Sequence, residues 1–179
     1  MTVNASAMAI RALGVAIWVA LAAACAVVFA STLEAVVAAV GCAVLVAISI
    51  TDFERRIIPN RIVLPALAAA LLVQTARDPS VEWILSAVGA GGLFLALALV
   101  HPAGLGMGDV KLVAFMGAWL GRDVVVAVFV GSLLGALPAL VLLVARGAGR
   151  KDTLPYGPFL AAGGLVGLFF GEALLDAWL

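Results

Sequence analysis

Apolar and polar positions in this chain are sorted into long blocks rather than alternating. Runs of roughly 20 apolar residues, the length that crosses a bilayer at 1.5 Å per residue, are separated by short polar breaks. The pattern predicts helices at about 9–30, 33–51, 62–76, 82–101, 108–121, 124–145 and 158–178. Ser31-Thr32, the polar stretch Asp52–Arg61, the turn Arg77-Asp78-Pro79-Ser80, Gly121-Arg122-Asp123 and the loop Arg146–Asp152 supply the breaks. Pro158 suits the first turn of the last helix, where its missing N–H costs nothing. The fold class is therefore all-α, a polytopic integral membrane protein of about seven transmembrane helices, or six if the short fifth is not a crossing. Residues 1–30 carry Arg11 ahead of an apolar stretch of about 19 residues, longer than a signal-peptide core, and so read as a retained first helix.

Composition agrees. The 179 residues are 66% hydrophobic and 11% charged, with a mean hydropathy of +1.28, against about half and about a quarter in a soluble domain. A globule this small has too little interior for so much apolar surface, so lipid is the expected solvent and the bilayer an expected partner. Ten basic and ten acidic residues cancel, which leaves no field to recruit nucleic acid. Cys25 and Cys42 lie inside apolar runs, form no CxxC pair and find only His101 as a further soft ligand. They read as small buried hydrophobes, and neither a metal nor another cofactor is expected. One domain, 1–179, accounts for the chain.

Basic residues set the orientation. With the N-terminus in the cytoplasm and seven crossings, Arg11, Arg55, Arg56, Arg61, Lys111, Arg146, Arg150 and Lys151 fall inside, and Arg77 and Arg122 outside. Dropping the fifth crossing would export the basic loop 146–157, which argues for counting it. Gly163, Gly167 and Gly171, and likewise Gly131 and Gly135, form small-residue stripes suited to close helix packing.

Charges near apolar spans need a reason. Glu34, Glu82, Asp123, Glu172 and Asp176 fall near far-side ends, where solvation accounts for them, and His101 reads as an interfacial ring at a helix end. Asp52 and Asp109 stand apart. They are 57 residues and two crossings apart, so parity returns both to the cytoplasmic face at similar depth. Two carboxyl groups sharing a site cannot easily both ionise and hold one proton between them. The ionised partner can take a proton from water, and the protonated one can polarise an amide carbonyl and later protonate the leaving nitrogen. Lys111 stands close enough in sequence to bias such a titration, or serves as an interfacial cation. An ordinary alternative is open at this point: Asp109 as an N-cap, and Asp52 at a helix end compensated by Arg55 and Arg56.

Asp52 with Ile58-Pro59-Asn60 resembles the first catalytic block of the type IV prepilin leader peptidases. Gly106-Met107-Gly108-Asp109-Val110-Lys111-Leu112 resembles the second, the GxGD signature of a class of membrane aspartic proteases. Gly117–Gly121 and Pro155-Tyr156-Gly157-Pro158-Phe159-Leu160 also resemble that family. The resemblance implies an endopeptidase of the bacterial inner membrane that removes a short basic leader from prepilins or prepilin-like proteins at the cytoplasmic face. It implies Asp52 and Asp109 as the catalytic pair. Pro59, Asn60, Gly106, Gly108, Lys111, Pro155, Tyr156 and Gly157 are then substrate-binding or site-supporting. The loops Phe53–Arg61 and Arg146–Gly157 would flank a prepilin or pseudopilin substrate. Many members of the family also carry a zinc-binding domain with two CxxC pairs and N-methylate the new terminus. This chain has no CxxC, so a minimal peptidase similar to those of tight-adherence (Flp-type) pili is expected, without a separate methyltransferase domain. Two other readings compete. One is a related GxGD protease acting on preflagellin or within a membrane helix, for which Pro138-Ala139-Leu140 is suggestive, although Thr51 stands where the intramembrane group has Tyr. The other is a small transporter that uses the two Asp for ions.

Overall fold

The computed structural model describes residues 2–101, 104–146 and 155–178. Seven α-helices and one 3-10 turn occur among them: α1 (Thr2–Val28), α2 (Thr32–Arg55), α3 (Asn60–Arg77), α4 (Glu82–Val100), α5 (Met107–Leu120), the turn Gly121–Asp123, α6 (Val124–Arg146) and α7 (Gly157–Trp178). Five stretches are long and apolar enough to cross a membrane by length and composition: Ala7–Val28, Thr32–Arg55, Glu82–Val100, Met107–Pro138 and Gly157–Trp178. Pro102 and the loop residues Arg150, Lys151 and Asp152 lie outside the described residues.

The stretch Met107–Pro138 is not one rod. Along α7, Gly164 faces Met116 of α5 and Gly167 faces Leu120, so α5 runs parallel to α7. Gly131 of α6 meets Leu160, whereas Gly171 meets Asp123, so α6 runs antiparallel to it. The reversal falls at Gly121, whose φ of +60° suits a residue without a side chain. α5, with 14 residues, is only about 21 Å long. The short fifth element predicted from sequence is thus a separate helix that turns back on itself through three residues of 3-10 helix.

α5 is the centre of the bundle. From Leu112 to Leu120 its residues are buried, with Ala114 half-buried. At about 100° per residue it presents three faces. Asp109, Met116 and Leu120 share one, and the last two face α7. Ala114 and Gly117 share a second, against Gly91 and Ser86 of α4. Gly108, Lys111, Phe115 and Trp119 share the third. Along it Gly108 abuts Ile58, and Trp119 abuts Gly41 of α2 while its carbonyl accepts from Gln74 Nε2 of α3 at 2.6 Å.

Consecutive helices alternate in direction, so the bundle has two ends. One gathers the C-terminus of α2 and the N-termini of α3, α5 and α7. The other gathers Glu34, Arg77, Glu82 and Arg122. Three of the acidic residues expected to be merely solvated there are held more specifically. Glu34 pairs with Arg77 at 3.1 Å, Glu82 Oε1 accepts from the Arg122 amide at 2.9 Å, and Asp176 lies 3.9 Å from Arg122. Asp123 is half-buried against Gly171. Cys25 and Cys42 are buried free thiols on the packed pair α1 and α2.

The glycine stripe of α7 packs against α6 as expected. A Cβ at Gly163 would run into the Ala127 carbonyl and the Gly131 backbone, neither of which can swing aside, whereas one at Gly89 would meet nothing within 4 Å. Gly163→Val should therefore cost about 3 kcal/mol from overpacking. Gly89→Ala should be neutral or slightly stabilising through helix propensity. Thermal unfolding of the two purified variants in detergent checks the contrast.

Candidate active site

The site begins with where α2 stops. Asp52 lies one turn inside the helix rather than after it, because α2 continues to Arg55. The stop is an αL cap: Arg56 has φ 54° and ψ 38°, and its N–H donates to the Asp52 carbonyl at 2.7 Å. A non-glycine residue in that conformation costs roughly 1–2 kcal/mol, against which the cap hydrogen bond works. Asp52 is 6% exposed, and its Oδ2 accepts from the N–H of Gly157, the first residue of α7, at 2.9 Å. A free backbone donor at a helix N-terminus is well suited to a carboxylate. Gly157 has no room for more than hydrogen, since a Cβ there would lie 2.8 Å from that same oxygen.

Asp109 is not the N-cap of α5. Gly106 occupies that position, and Asp109 sits three residues on. Its Oδ2 reaches back to accept from the Gly106 N–H at 3.1 Å, which is the carboxylate half of a capping box. Each Asp therefore has one oxygen engaged by a backbone amide. The Asp52 charge acts on Asp109. Arg56 acts on Asp52 in the same way.

The other supporting residues named from sequence make contacts of their own. The Tyr156 hydroxyl hydrogen-bonds Ser132 Oγ of α6 at 3.1 Å, and its ring packs on Gly135. That contact fixes the turn Pro155–Gly157 from which the Asp52 donor comes. Gly108 lets Ile58 approach, since a Cβ there would sit 2.9 Å from Ile58 Cβ. Asn60 Oδ1 accepts from Lys111 Nζ at 2.8 Å. Pro59 caps α3 through its backbone alone, accepting from the Ile62 and Val63 amides. Of the two flanking loops, Phe53–Arg61 lies beside the carboxylates, whereas residues 147–154 fall outside the described set. His101, at the end of α4, lines a groove of about 810 Å³ between α4 and α6 rather than the carboxylate site.

Three residues make contacts at the site that sequence reasoning did not assign to them: Ile58, Ser132 and Arg11. Ile58 and Ser132 are ordinary residues whose partners are distant in the chain. Ser132 lies one turn before Gly135, on the same face, and that spacing is the one local sign of a docking surface. Arg11 forks onto Glu54 with two contacts of 3.2 Å, tying α1 to the turn that follows Asp52. Among the described residues, no group of three or more His, Cys, Asp or Glu side chains converges as a metal ion would need.

The sequence profile of the type IV leader peptidase family matches residues 39–140, more than half of the chain and inclusive of both aspartates. The chain belongs to the type IV leader peptidase family. Among proteins it is similar to are three named prepilin leader peptidase/N-methyltransferase. That of Bacillus subtilis (strain 168) is 34% identical over 158 residues, covering 84% of this chain and 62% of the relative. That of Xanthomonas campestris pv. campestris is 34% identical over 143 residues, covering 75% and 50%. That of Burkholderia pseudomallei (strain K96243) is 38% identical over 145 residues, covering 73% and 45%. The chain thus spans about half the length of these curated relatives. No solved structure matches it.

In this leader peptidase family member, the contact between Gly157 and Asp52 is open to a direct test. Gly157→Ala should push the Asp52 carboxylate off its amide and, where Asp52 is a reacting group, lower peptidase activity by about tenfold or more, as small misplacements of reacting groups do, with normal membrane insertion. A cleavage assay beside a thermal melt checks it.

Proposed function

We propose that this protein is an aspartic endopeptidase that removes the basic leader of a type IV prepilin or prepilin-like protein at the cytoplasmic face of the bacterial inner membrane. The single observation that supports this reading is the convergence of Asp52 and Asp109 at one end of the bundle. The two come from separate helices, and each has one carboxylate oxygen engaged by a backbone amide. The proposal covers the peptidase half of the relatives' name only.

The pair works as one acid and one base. The ionised carboxylate takes a proton from water as the water oxygen adds to the scissile carbonyl carbon. The protonated carboxyl donates a hydrogen bond to the carbonyl oxygen as it gains charge. Collapse breaks the C–N bond, and the departing nitrogen takes a proton from the pair. The products are the leader's carboxylate and the mature chain's amine. Fixing Oδ2 of each Asp on an amide leaves Oδ1 of each for water and substrate, and spares the site reorganisation during the step.

Orientation follows from charge. Arg11, Arg55, Arg56, Arg61 and Lys111 cluster at the carboxylate end and Arg77 and Arg122 at the other, the distribution expected when the carboxylate end faces the cytoplasm. A basic leader arriving there meets Asp52 and Asp109, while the apolar segment that follows it stays in the bilayer. Among the described residues, no paired broken helices favour the transporter reading.

Asp52→Asn and Asp109→Asn should each insert normally and abolish cleavage of a prepilin in detergent; near-full cleavage by either variant would refute the mechanism. The wild-type rate should fall on both sides of an optimum pH, because the working pair holds a single proton. Full protonation removes the base and full ionisation removes the acid. A pH–rate series with one prepilin substrate reads both limbs.

A further inference from the structure

We propose that Lys111 and Asn60 form a clamp that holds the Asp52-bearing end of α2 against the Asp109-bearing start of α5, which makes Lys111 a positioning residue. The inference rests on the reading of those two aspartates as the working pair.

Lys111 sits in the second turn of a helix that is otherwise apolar from Val110 to Leu120. The residue is half-buried, and at the exposed edge of the bundle Asn60 Oδ1 accepts from the ammonium at 2.8 Å. Lys111 is two residues from Asp109, which puts the two side chains about 200° apart around the helix. Side chains spaced in this way do not face each other, so Lys111 is badly placed to act on the carboxylate itself. It shares its face instead with Gly108, one turn earlier, against which Ile58 packs. α5 therefore grips the segment 58–60 at two points on one face, one apolar and one polar.

That segment is the short way back to Asp52. Only Arg56–Pro59 separate α2 from α3. The left-handed residue among them, Arg56, closes α2 through its bond to the Asp52 carbonyl. The grip on Ile58 and Asn60 holds the link in a conformation that a non-glycine residue would otherwise leave. Release of Asn60 frees the link and loosens the last turn of α2, where Asp52 is seated. The clamp thus couples the two motif blocks mechanically.

The test is a double-mutant cycle on the full chain in detergent, with Lys111→Met, Asn60→Leu and the double variant, and Asn60→Asp as the variant that keeps the acceptor. The clamp predicts that each single variant lowers kcat by about tenfold or more, as a misplaced reacting group does. KM and both pH limbs should stay near wild type. The double variant should be no worse than either single one, the signature of one shared interaction, and Asn60→Asp should recover most of the rate. A second readout needs no substrate: trypsin should cut after Arg55 or Arg56 faster in the single and double variants than in wild type or Asn60→Asp. Four results overturn the clamp: near-wild-type kcat in both single variants, a defect in Lys111→Met that Asn60→Leu does not share, effects that multiply in the double variant, or unchanged tryptic rates. Failure of the peptidase reading would show separately, as continued cleavage by Asp52→Asn and Asp109→Asn, while the tryptic cycle still judges the clamp.

Discussion

The fold depends on backbones coming close at small residues. In lipid, helices gain little by hiding apolar side chains from one another, since acyl chains are as apolar as leucine. What holds them is van der Waals contact at short range, and that requires positions with no side chain in the way. Gly117 against Ser86 joins α5 to α4, and Gly163 against Ala127 and Gly131 joins α7 to α6. With Met116 and Leu120 seated on Gly164 and Gly167, these contacts make α5 the axis around which α3, α4 and α7 are arranged. A helix too short to span the hydrocarbon comfortably is acceptable there because its neighbours, not lipid, surround it.

The site inherits its form from that arrangement. α5 begins at the same level as α7 because the two run parallel, and α2 ends there because it is antiparallel to both. Two helix N-termini and one helix C-terminus thus meet at one level. The N-termini bring unpaired amides, which carboxylates accept from. Gly157 serves Asp52 across the bundle, and Gly106 serves Asp109 locally. Both acidic side chains accept directly from main-chain groups.

Much of this was legible in the sequence. Block hydropathy located the helices to within a few residues, except for the N-terminal start of α1, and the order of the four motif blocks anticipated the family. The parity argument anticipated that Asp52 and Asp109 share an end. What stayed hidden were choices among equivalent positions. α4 is apolar on every side, so periodicity does not say which face packs. Gly91 meets Ala114, yet Gly89 and Gly92 meet nothing, and no local signal separates the three. Asp109 was open to an N-cap reading because a one-turn shift in a helix start leaves the same residues in the same order. Ile58 on Gly108, Arg11 on Glu54 and Tyr156 on Ser132 join positions far apart in the chain, and only the packed bundle pairs them.

The Gly157 amide has a further consequence for how the protein is divided. The region shared across the family profile closes at residue 140, seventeen positions short of that glycine. A fragment trimmed to the shared region would retain both acidic residues and lose the group that steadies one of them. Minimal catalytic cores for such proteins are therefore better cut by following hydrogen bonds through space than by the borders of sequence similarity.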